Sequence, residues 1–296
     1  MSGALSRLTA NKRRAAPNPA TSKLLFRLGR IAVYGTLTLW ALWCLLPIYW
    51  MFSTALQEPS MVLAMPPEIV PKHLSLANLT NLFRRAPILR WTLNSLIVAV
   101  AQTGGYLLTS TMAGYAFAKK QFPGKEVIFW VLMATMMIPG FVVLVTRYTL
   151  VSDLKLTDTY WGLILPEIAG PMGVFMMRQF MQSLPSELFD AARIDGCGEW
   201  GIFQRIVIPL AMPGIAVLGI FSFVYSWNDF IWPLVVTNSN LMRTLPVGLA
   251  SMQRYQTTNF GLLMAGASYA ALPMMIVFFA AQRYFLKGIT IGALKG

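Results

Sequence analysis

The chain has 296 residues, of which 56% are hydrophobic and 12% are charged, and its mean hydropathy is +0.58. Soluble domains carry about 25% charged residues, so this composition excludes an ordinary soluble globule, a disordered chain and a disulfide scaffold, and it favours a membrane protein. The net charge of +13 comes without any motif for reading bases, and we attribute it to the cytoplasmic ends of membrane helices rather than to nucleic-acid binding. Two cysteines, Cys44 and Cys197, and a single histidine, His73, leave little material for metal or acid–base chemistry.

Six apolar runs predict an all-α, polytopic membrane protein with six transmembrane helices. A helix rises about 1.5 Å per residue, so about 20 apolar residues cross a hydrocarbon core of about 30 Å. The runs are Ile31 to Phe52, Thr92 to Ala118, Val127 to Thr146, Tyr160 to Met177, Leu210 to Val236 and Gly261 to Leu286. A cleaved signal peptide would have a shorter apolar core and a briefer basic leader than the first run, so we expect that run to remain as a helix.

These runs divide the chain into predicted parts. We expect a basic cytoplasmic tail at 1–30, a first transmembrane helix at 31–53, a periplasmic segment at 54–91, a core domain of five transmembrane helices at 92–286 that includes a cytoplasmic loop at 182–209, and a cytoplasmic tail at 287–296. With the N-terminus inside, 16 of the 24 Lys and Arg are cytoplasmic and 8 are outside, which favours cytoplasmic positions for both termini. Arg84, Arg85 and Arg90 go against this count, and we expect residues 76–91 to lie along the outer interface.

Gly and Pro interrupt the later runs, at Gly104-Gly105, Pro139-Gly140, Gly170-Pro171, Pro213-Gly214 and Pro273. In lipid, the backbone groups freed by such breaks need partners from neighbouring helices or polar side chains. Two interpretations stay open, namely close helix packing around a pathway and the ordinary use of Gly and Pro in membrane helices.

A polar loop between the fourth and fifth runs carries the most informative pattern. Ser186 suits a helix cap. Leu188, Ala191 and Ala192 are three and four residues apart, so we expect them to share a face that another protein can approach closely. Gly196 suits a turn, because glycine takes a positive φ at little cost. On these features alone, a plain amphipathic connection between membrane helices is an equally good interpretation.

The same loop resembles the EAA motif of the permease subunits of ABC importers. That motif reads Glu-Ala-Ala, three residues, Gly, nine residues, Ile, one residue, Leu-Pro, and this chain has the same spacing. The matching residues are Asp190, Ala191, Ala192, Gly196, Ile206, Ile208 and Pro209. Asp190 in place of Glu and Ile208 in place of Leu are conservative departures. Three further segments resemble the carbohydrate (maltose-type) permeases: Tyr115 to Lys125, Phe223 to Val236, and the C-terminal ITIGALKG.

The resemblance implies an ABC type I importer permease fold and a place in the bacterial cytoplasmic (inner) membrane. It implies three partners: a second permease subunit in a heterodimer, an ABC ATPase dimer, and a periplasmic or lipid-anchored substrate-binding protein. ATP would be bound by the ATPase subunit, since this chain has no G-x-x-x-x-G-K-[ST] motif, and we expect no cofactor, metal or enzymatic activity on this chain. The seven motif residues would form a coupling loop that docks on the ATPase.

Six residues in or near the apolar runs are candidates for a substrate pathway: Glu167, Tyr225, Trp227, Asn228, Asp229 and Tyr269. Ionisable groups inside a membrane usually serve a function, and aromatic faces can stack on the apolar faces of sugar rings. Two alternatives stay open, that Asp229 is an interfacial anchor and that the aromatic residues only pack against neighbouring helices.

The sequence therefore predicts the transmembrane subunit of an importer for a sugar or oligosaccharide. One alternative is a permease of the same family for glycerol-phosphate or another small solute. An ion-driven secondary transporter and a membrane-embedded enzyme are further alternatives. The spacing of the motif argues against the first of these two, and the scarcity of catalytic side chains argues against the second.

Overall fold

The computed structural model describes the backbone of residues 19–60, 62, 68–253 and 259–293, and their side chains except those of residues 19–25, 281 and 283–293. More than half of the predicted basic tail and the last three residues of the predicted C-terminal tail lie outside these ranges. Within the described residues every regular element is helical, as the apolar runs predicted.

Thirteen α-helices make up the described part of the chain. They are α1 (Pro19–Ala55), α2 (Ala77–Arg85), α3 (Ile88–Lys119), α4 (Lys125–Ala134), α5 (Leu144–Asp153), α6 (Tyr160–Ile164), α7 (Pro171–Gln182), α8 (Glu187–Ile194), α9 (Glu199–Ile202), α10 (Ile208–Asn228), α11 (Ile231–Val236), α12 (Leu245–Ser251) and α13 (Phe260–Ala293). Short 3₁₀ turns follow α4 at Thr135–Met137 and α6 at Leu165–Glu167, and a π-helical turn at Phe203–Val207 joins α9 to α10.

The chain divides into two units, residues 1–51 and residues 52–296. Where it is described, the first unit consists of most of α1. Its large apolar side chains point outward all round the helix, and Leu39, Trp40 and Trp43 are 70%, 68% and 72% exposed. A helix that is apolar on every side suits a lipid environment rather than water.

Helical structure continues into both predicted tails. Helix α1 begins at Pro19, so residues 19–30 of the predicted basic tail are helical. Proline is tolerated at the first position of a helix, because the N–H that it lacks would have no helical partner there. At the other end, α13 continues to Ala293, so the predicted tail at 287–296 is helical over most of its length.

The segment predicted to be periplasmic contains α2 and the start of α3. Asn78 holds α2 in place, because its Nδ2 donates to the carbonyl groups of Ala55 at 3.3 Å and Gln57 at 2.8 Å. Helix α3 begins at Ile88, four residues before the predicted start of the core domain at 92.

Four described helices are long and apolar enough to cross a membrane: Phe26–Ala55, Ile88–Lys119, Glu199–Asn228 and Phe260–Ala280. The other two predicted spans are interrupted at their sequence breakers. An irregular stretch with Pro139-Gly140 separates α4 from α5, and Gly170-Pro171 separates α6 and its 3₁₀ turn from α7. Proline cannot donate the hydrogen bond that would continue the helix, so each of these spans consists of short helices. The count of six remains a prediction.

Helix α3 lies at the centre of the second unit and packs along α7 and α10. Two glycines allow α3 and α7 to approach closely. A Cβ on Gly114 would lie 2.5 Å from the Cβ of Met177, and a Cβ on Gly173 would overlap Ser110 and Tyr106. Small residues at such crossings let membrane helices pack backbone against backbone.

Asp158 joins the loop before α6 to the loop after α11. The N–H groups of Asn238 and Ser239 donate to Asp158 Oδ1 at 2.9 and 3.0 Å, and the N–H of Asp158 donates to the Val236 carbonyl at 2.9 Å. Burial alone would raise the pKa of Asp158, but the hydrogen bonds to its charged form outweigh burial and lower the pKa below its ordinary value of 3.8. The carboxylate therefore holds the two loops together at neutral pH.

Candidate functional site

Helix α8, which contains the start of the EAA-like motif, has two different sides. Phe189 and Ala192 point into the chain and are 2% and 8% exposed, within one apolar cluster. Leu188, Ala191 and Ile194 are exposed, and Ile194 is 87% exposed. We call these last three residues the exposed face of α8.

The predicted docking face is therefore corrected. We expected Ala191 and Ala192 on one surface, but consecutive residues of a helix point about 100° apart. Ala192 lies three residues after Phe189 and shares its buried side, whereas Ala191 lies three residues after Leu188 and is exposed. The surface that α8 offers to another protein is larger and more apolar than two alanines.

Helix α8 ends in a Schellman turn at Gly196, whose φ is +79°. The N–H of Cys197 donates to the Ala192 carbonyl at 2.9 Å, and the N–H of Gly196 donates to the Arg193 carbonyl at 3.0 Å. These are the two hydrogen bonds of that motif. Since a positive φ is costly for a residue with a Cβ, the prediction of a glycine-dependent turn at this position is confirmed.

The second half of the motif packs inside the chain. Ile206 and Ile208 are half-buried against the same apolar cluster as Phe189, whereas Pro209 is exposed. The N–H of Ile208 donates to the Phe203 carbonyl, which closes the π-helical turn. Pro209 then occupies the first turn of α10, where its missing N–H is tolerated.

Ion pairs surround this loop, and sequence reasoning missed them. The Glu199 carboxylate pairs with Lys120, and its Oε1 accepts a hydrogen bond from Arg193 Nε at 3.2 Å. Arg193 Nη1 also contacts Asp190 Oδ1 at 2.7 Å. Ser186 precedes α8 as predicted but makes no capping hydrogen bond with its side chain. The sequence offered one signal, since the segment from Tyr115 to Lys125 resembles related permeases. That resemblance assigned no function to the residues of the segment.

A cavity of about 790 Å³ lies between α3, α7 and α10. Its wall is largely apolar and aromatic, with a few polar groups. The lining residues include Gln102, Tyr106, Glu167, Met172, Phe221, Ser222, Tyr225 and Ser226. Tyr106 is fixed in the wall because its hydroxyl accepts a hydrogen bond from the Gly173 N–H at 2.7 Å. Volume, aromatic faces and a few polar groups suit a small organic solute.

Glu167 enters this cavity as one partner of an ion pair with Arg147. The guanidinium of Arg147 lies 4.1 Å from the centre of the Trp232 ring. The carboxylate is therefore held in a fixed position at the cavity wall, where it could accept hydrogen bonds from a solute.

Of the six predicted pathway residues, only Glu167 and Tyr225 line the cavity. Trp227 is buried, stacks on Phe223 with ring centroids 6.0 Å apart, and donates to the Ala270 carbonyl at 3.2 Å. Such contacts belong to helix packing.

Three further predicted pathway residues have other partners. The hydroxyl of Tyr269 lies 3.2 Å from Thr92 Oγ1. Asn228 donates to the carbonyl one turn earlier. The Asp229 carboxylate accepts backbone hydrogen bonds from Trp232 and Ile231 at the start of α11. The cavity residues Tyr106, Phe221 and Gln102 were missed, because an apolar span gives no sign of which side faces a cavity.

These features define a class of protein, a helical membrane permease with a short amphipathic helix exposed on a polar loop. The chain belongs to the family of binding-protein-dependent transport system inner membrane components, whose model matches residues 105–291.

The chain is 38% identical to the arabinooligosaccharides transport system permease protein AraQ of Bacillus subtilis, over 92% of this chain and 98% of the relative. It is 32% identical to the sn-glycerol-3-phosphate transport system permease protein UgpE of Yersinia pestis, over 83% and 90%. Among solved structures, a bacterial ABC transporter involved in the import of the acidic polysaccharide alginate has the same fold, with a TM-score of 0.80 at 20% identity over 91% of this chain and 100% of that chain.

Proposed function

We propose that the chain is the transmembrane subunit of an ABC importer that moves a sugar or oligosaccharide across the bacterial cytoplasmic membrane. The observation that carries this proposal is the exposed apolar face of α8 on a polar loop. Leu188 and Ile194 are 44% and 87% exposed beside charged residues, outside the predicted spans. An apolar surface in that position favours a protein partner, and the similarity to AraQ supports an oligosaccharide as the cargo.

The partner on this face would be the ABC ATPase dimer, which binds ATP; this chain would bind no cofactor and catalyse no reaction. Closure of the ATPase would displace α8. Because Phe189 and Ala192 are buried in the cluster with residues of α3, α7 and α10, a displacement of α8 can be passed to the helices that form the cavity. A rigid-body switch between inward-open and outward-open states would follow.

A second permease subunit and a periplasmic or lipid-anchored substrate-binding protein would complete the importer. The cavity beside Tyr106 and Tyr225 would form part of the solute pathway, since their rings can stack on a sugar and the Glu167 carboxylate can accept its hydroxyl hydrogen bonds.

Replacing Tyr225 by alanine is expected to lower sugar transport about 2- to 10-fold, because an aromatic contact contributes about 0.5–1.5 kcal/mol. Tyr225 lines the cavity and is 65% exposed, so the variant should still assemble and bind the ATPase. Asp229→Asn is the control. Asparagine can accept the same backbone hydrogen bonds at the start of α11, and transport should stay within about twofold of wild type. Uptake in vesicles measures both. Unchanged transport by Tyr225→Ala would remove this tyrosine from the pathway.

Six transmembrane helices with both termini in the cytoplasm remain part of the proposal, supported by the excess of basic residues on that side. Cysteines introduced at Asn240 and Gly198, in a chain whose native cysteines are replaced by serine, test it. We expect a membrane-impermeant thiol reagent to label position 240 from outside the cell and to reach position 198 only in opened membranes. The opposite pattern would overturn the orientation.

Transport by the reconstituted importer tests the function itself. We expect sugar uptake that requires ATP, the ATPase subunit and the binding protein together. Uptake driven by an ion gradient without ATP would instead indicate a secondary transporter. Glycerol-phosphate is the second candidate cargo because of the similarity to UgpE, and competition between it and an oligosaccharide for binding-protein-dependent uptake distinguishes the two.

A further inference from the structure

The cytoplasmic end of α3 carries two adjacent lysines that reach opposite ends of the loop containing α8. Lys119 Nζ donates to the Leu184 carbonyl at 2.6 Å and lies 3.3 Å from Ser186 Oγ, just before α8 begins. Lys120 Nζ pairs with Glu199, just after the turn that ends α8. The last residue of α3 and the residue after it therefore bind the loop on both sides of α8.

Glu199 is the point where these contacts meet. Besides Lys120, its carboxylate accepts hydrogen bonds from the Tyr115 hydroxyl at 3.3 Å and from Arg193 Nε at 3.2 Å. Arg193 belongs to the last turn of α8 and is itself paired with Asp190 at 2.7 Å. The carboxylate thus connects α3 directly to α8.

Two aromatic rings lie against the lysines. Lys119 Nζ is 5.4 Å from the centre of the Phe189 ring, and Lys120 Nζ is 5.1 Å from the centre of the Tyr115 ring. Ammonium groups at this distance from a ring are attracted by it. The rings restrict where each lysine can go, so the two ends of α8 keep a defined position relative to α3.

We propose that Lys119, Lys120 and Glu199 form a two-point clamp that makes α8 and α3 move as one body. These are positioning residues for the coupling of ATP hydrolysis to transport, and the inference rests on the proposed function. Exposed ion pairs add little to folding stability, and the side chains of Lys120 and Glu199 are 27% and 56% exposed. What the pairs determine is the orientation of α8.

Helix α3 extends from the clamp to the cavity. Tyr106 lines the cavity and lies 13 residues before Lys119, which is about 20 Å along a helix. A push on the exposed face of α8 would therefore reach the cavity wall through one continuous helix. Without the clamp, the buried Phe189 and Ala192 would still hold α8 in place, but they would let it tilt before α3 moves.

The test compares variants in the complete complex of permease, ATPase and binding protein. We expect Glu199→Gln and Lys119→Gln to retain the ATPase subunit within twofold of wild type, while the amount of sugar transported per ATP hydrolysed falls at least threefold. Lys120→Gln should lower the ratio in the same way, whereas Lys120→Arg, which keeps a cation beside Glu199 and leaves Arg193 paired, should keep the ratio within twofold of wild type. Glu126→Gln is the matched control, since Glu126 pairs with Arg178 at 3.1 Å and, among the described residues, makes no ion pair with α8.

A wild-type ratio in Glu199→Gln would overturn the clamp alone. So would a fall in the ratio that matches a loss of ATPase retention and of thermal stability and is the same in Lys120→Gln and Lys120→Arg, because the contacts would then serve only folding. Failure of the wild-type complex to transport sugar or to bind the ATPase would overturn the proposed function and the clamp with it.

Discussion

Replacing Ala192 by glutamate is expected to disrupt the loop around α8, whereas the same replacement at Ala191 should leave the chain folded and prevent ATPase binding. Ala192 is 8% exposed in an apolar cluster with Phe189. An uncompensated charge in such a position costs about 3–5 kcal/mol, and we expect much less permease in the membrane. Ala191 is exposed, so a glutamate there meets water until a partner docks.

The two alanine variants can be separated by measuring the amount of permease in the membrane and the amount of ATPase that co-purifies with it. At Ala191, added volume in a packed interface costs about 1–3 kcal/mol, which is roughly a 5- to 150-fold loss of association. Wild-type ATPase binding by Ala191→Glu would show that the exposed face of α8 is not the docking surface. A normal level of Ala192→Glu in the membrane would contradict the buried position of Ala192.

Replacing Gly196 by alanine is expected to weaken ATPase binding about 5- to 30-fold, because forcing a residue with a Cβ into a left-handed conformation costs about 1–2 kcal/mol. The φ of Gly196 is +79°, and no heavy atom lies within 4 Å of the position that a Cβ would take. Backbone strain is therefore the only direct effect, and it acts on the turn that sets the end of α8.

Gly198 provides the control for this experiment. It also has open space around its Cβ position, but its φ is −66°, which any residue adopts. Gly198→Ala should therefore keep ATPase binding and binding-protein-stimulated ATP hydrolysis near wild type. Equal effects of the two substitutions would mean that the positive φ of Gly196 is not what positions α8.

Several parts of the fold could be predicted because their cause is local. A long apolar run predicts a helix that can lie in lipid, and α3, α10 and α13 overlap such runs. Proline removes a backbone donor, and the predicted breakers Pro139-Gly140 and Gly170-Pro171 coincide with interruptions. Helices α10 and α13, however, continue through Pro213 and Pro273, so proline alone does not decide where a helix ends. The turn at Gly196 could also be predicted from the sequence, because glycine takes a positive φ at little cost.

The sides that helices present to one another could not be predicted in this way. Ala191 and Ala192 are adjacent and identical, yet one is exposed and the other is buried, because folding places Ala192 in the apolar cluster that contains Tyr115 and Met181. The same is true of the cavity, where Tyr225 lines the wall and Trp227, two residues later, is buried in helix packing.

Local chemistry in the amino-acid sequence therefore accounts for the long helices, for two of the interruptions and for the glycine turn in the loop motif. The face that α8 exposes, the residues that line the cavity and the pairing of Lys120 with Glu199 depend on contacts between segments far apart in the chain. Such contacts arise only when α3, α7 and α10 pack together, because burial of a side chain is a property of its neighbours in space and not of its neighbours in sequence.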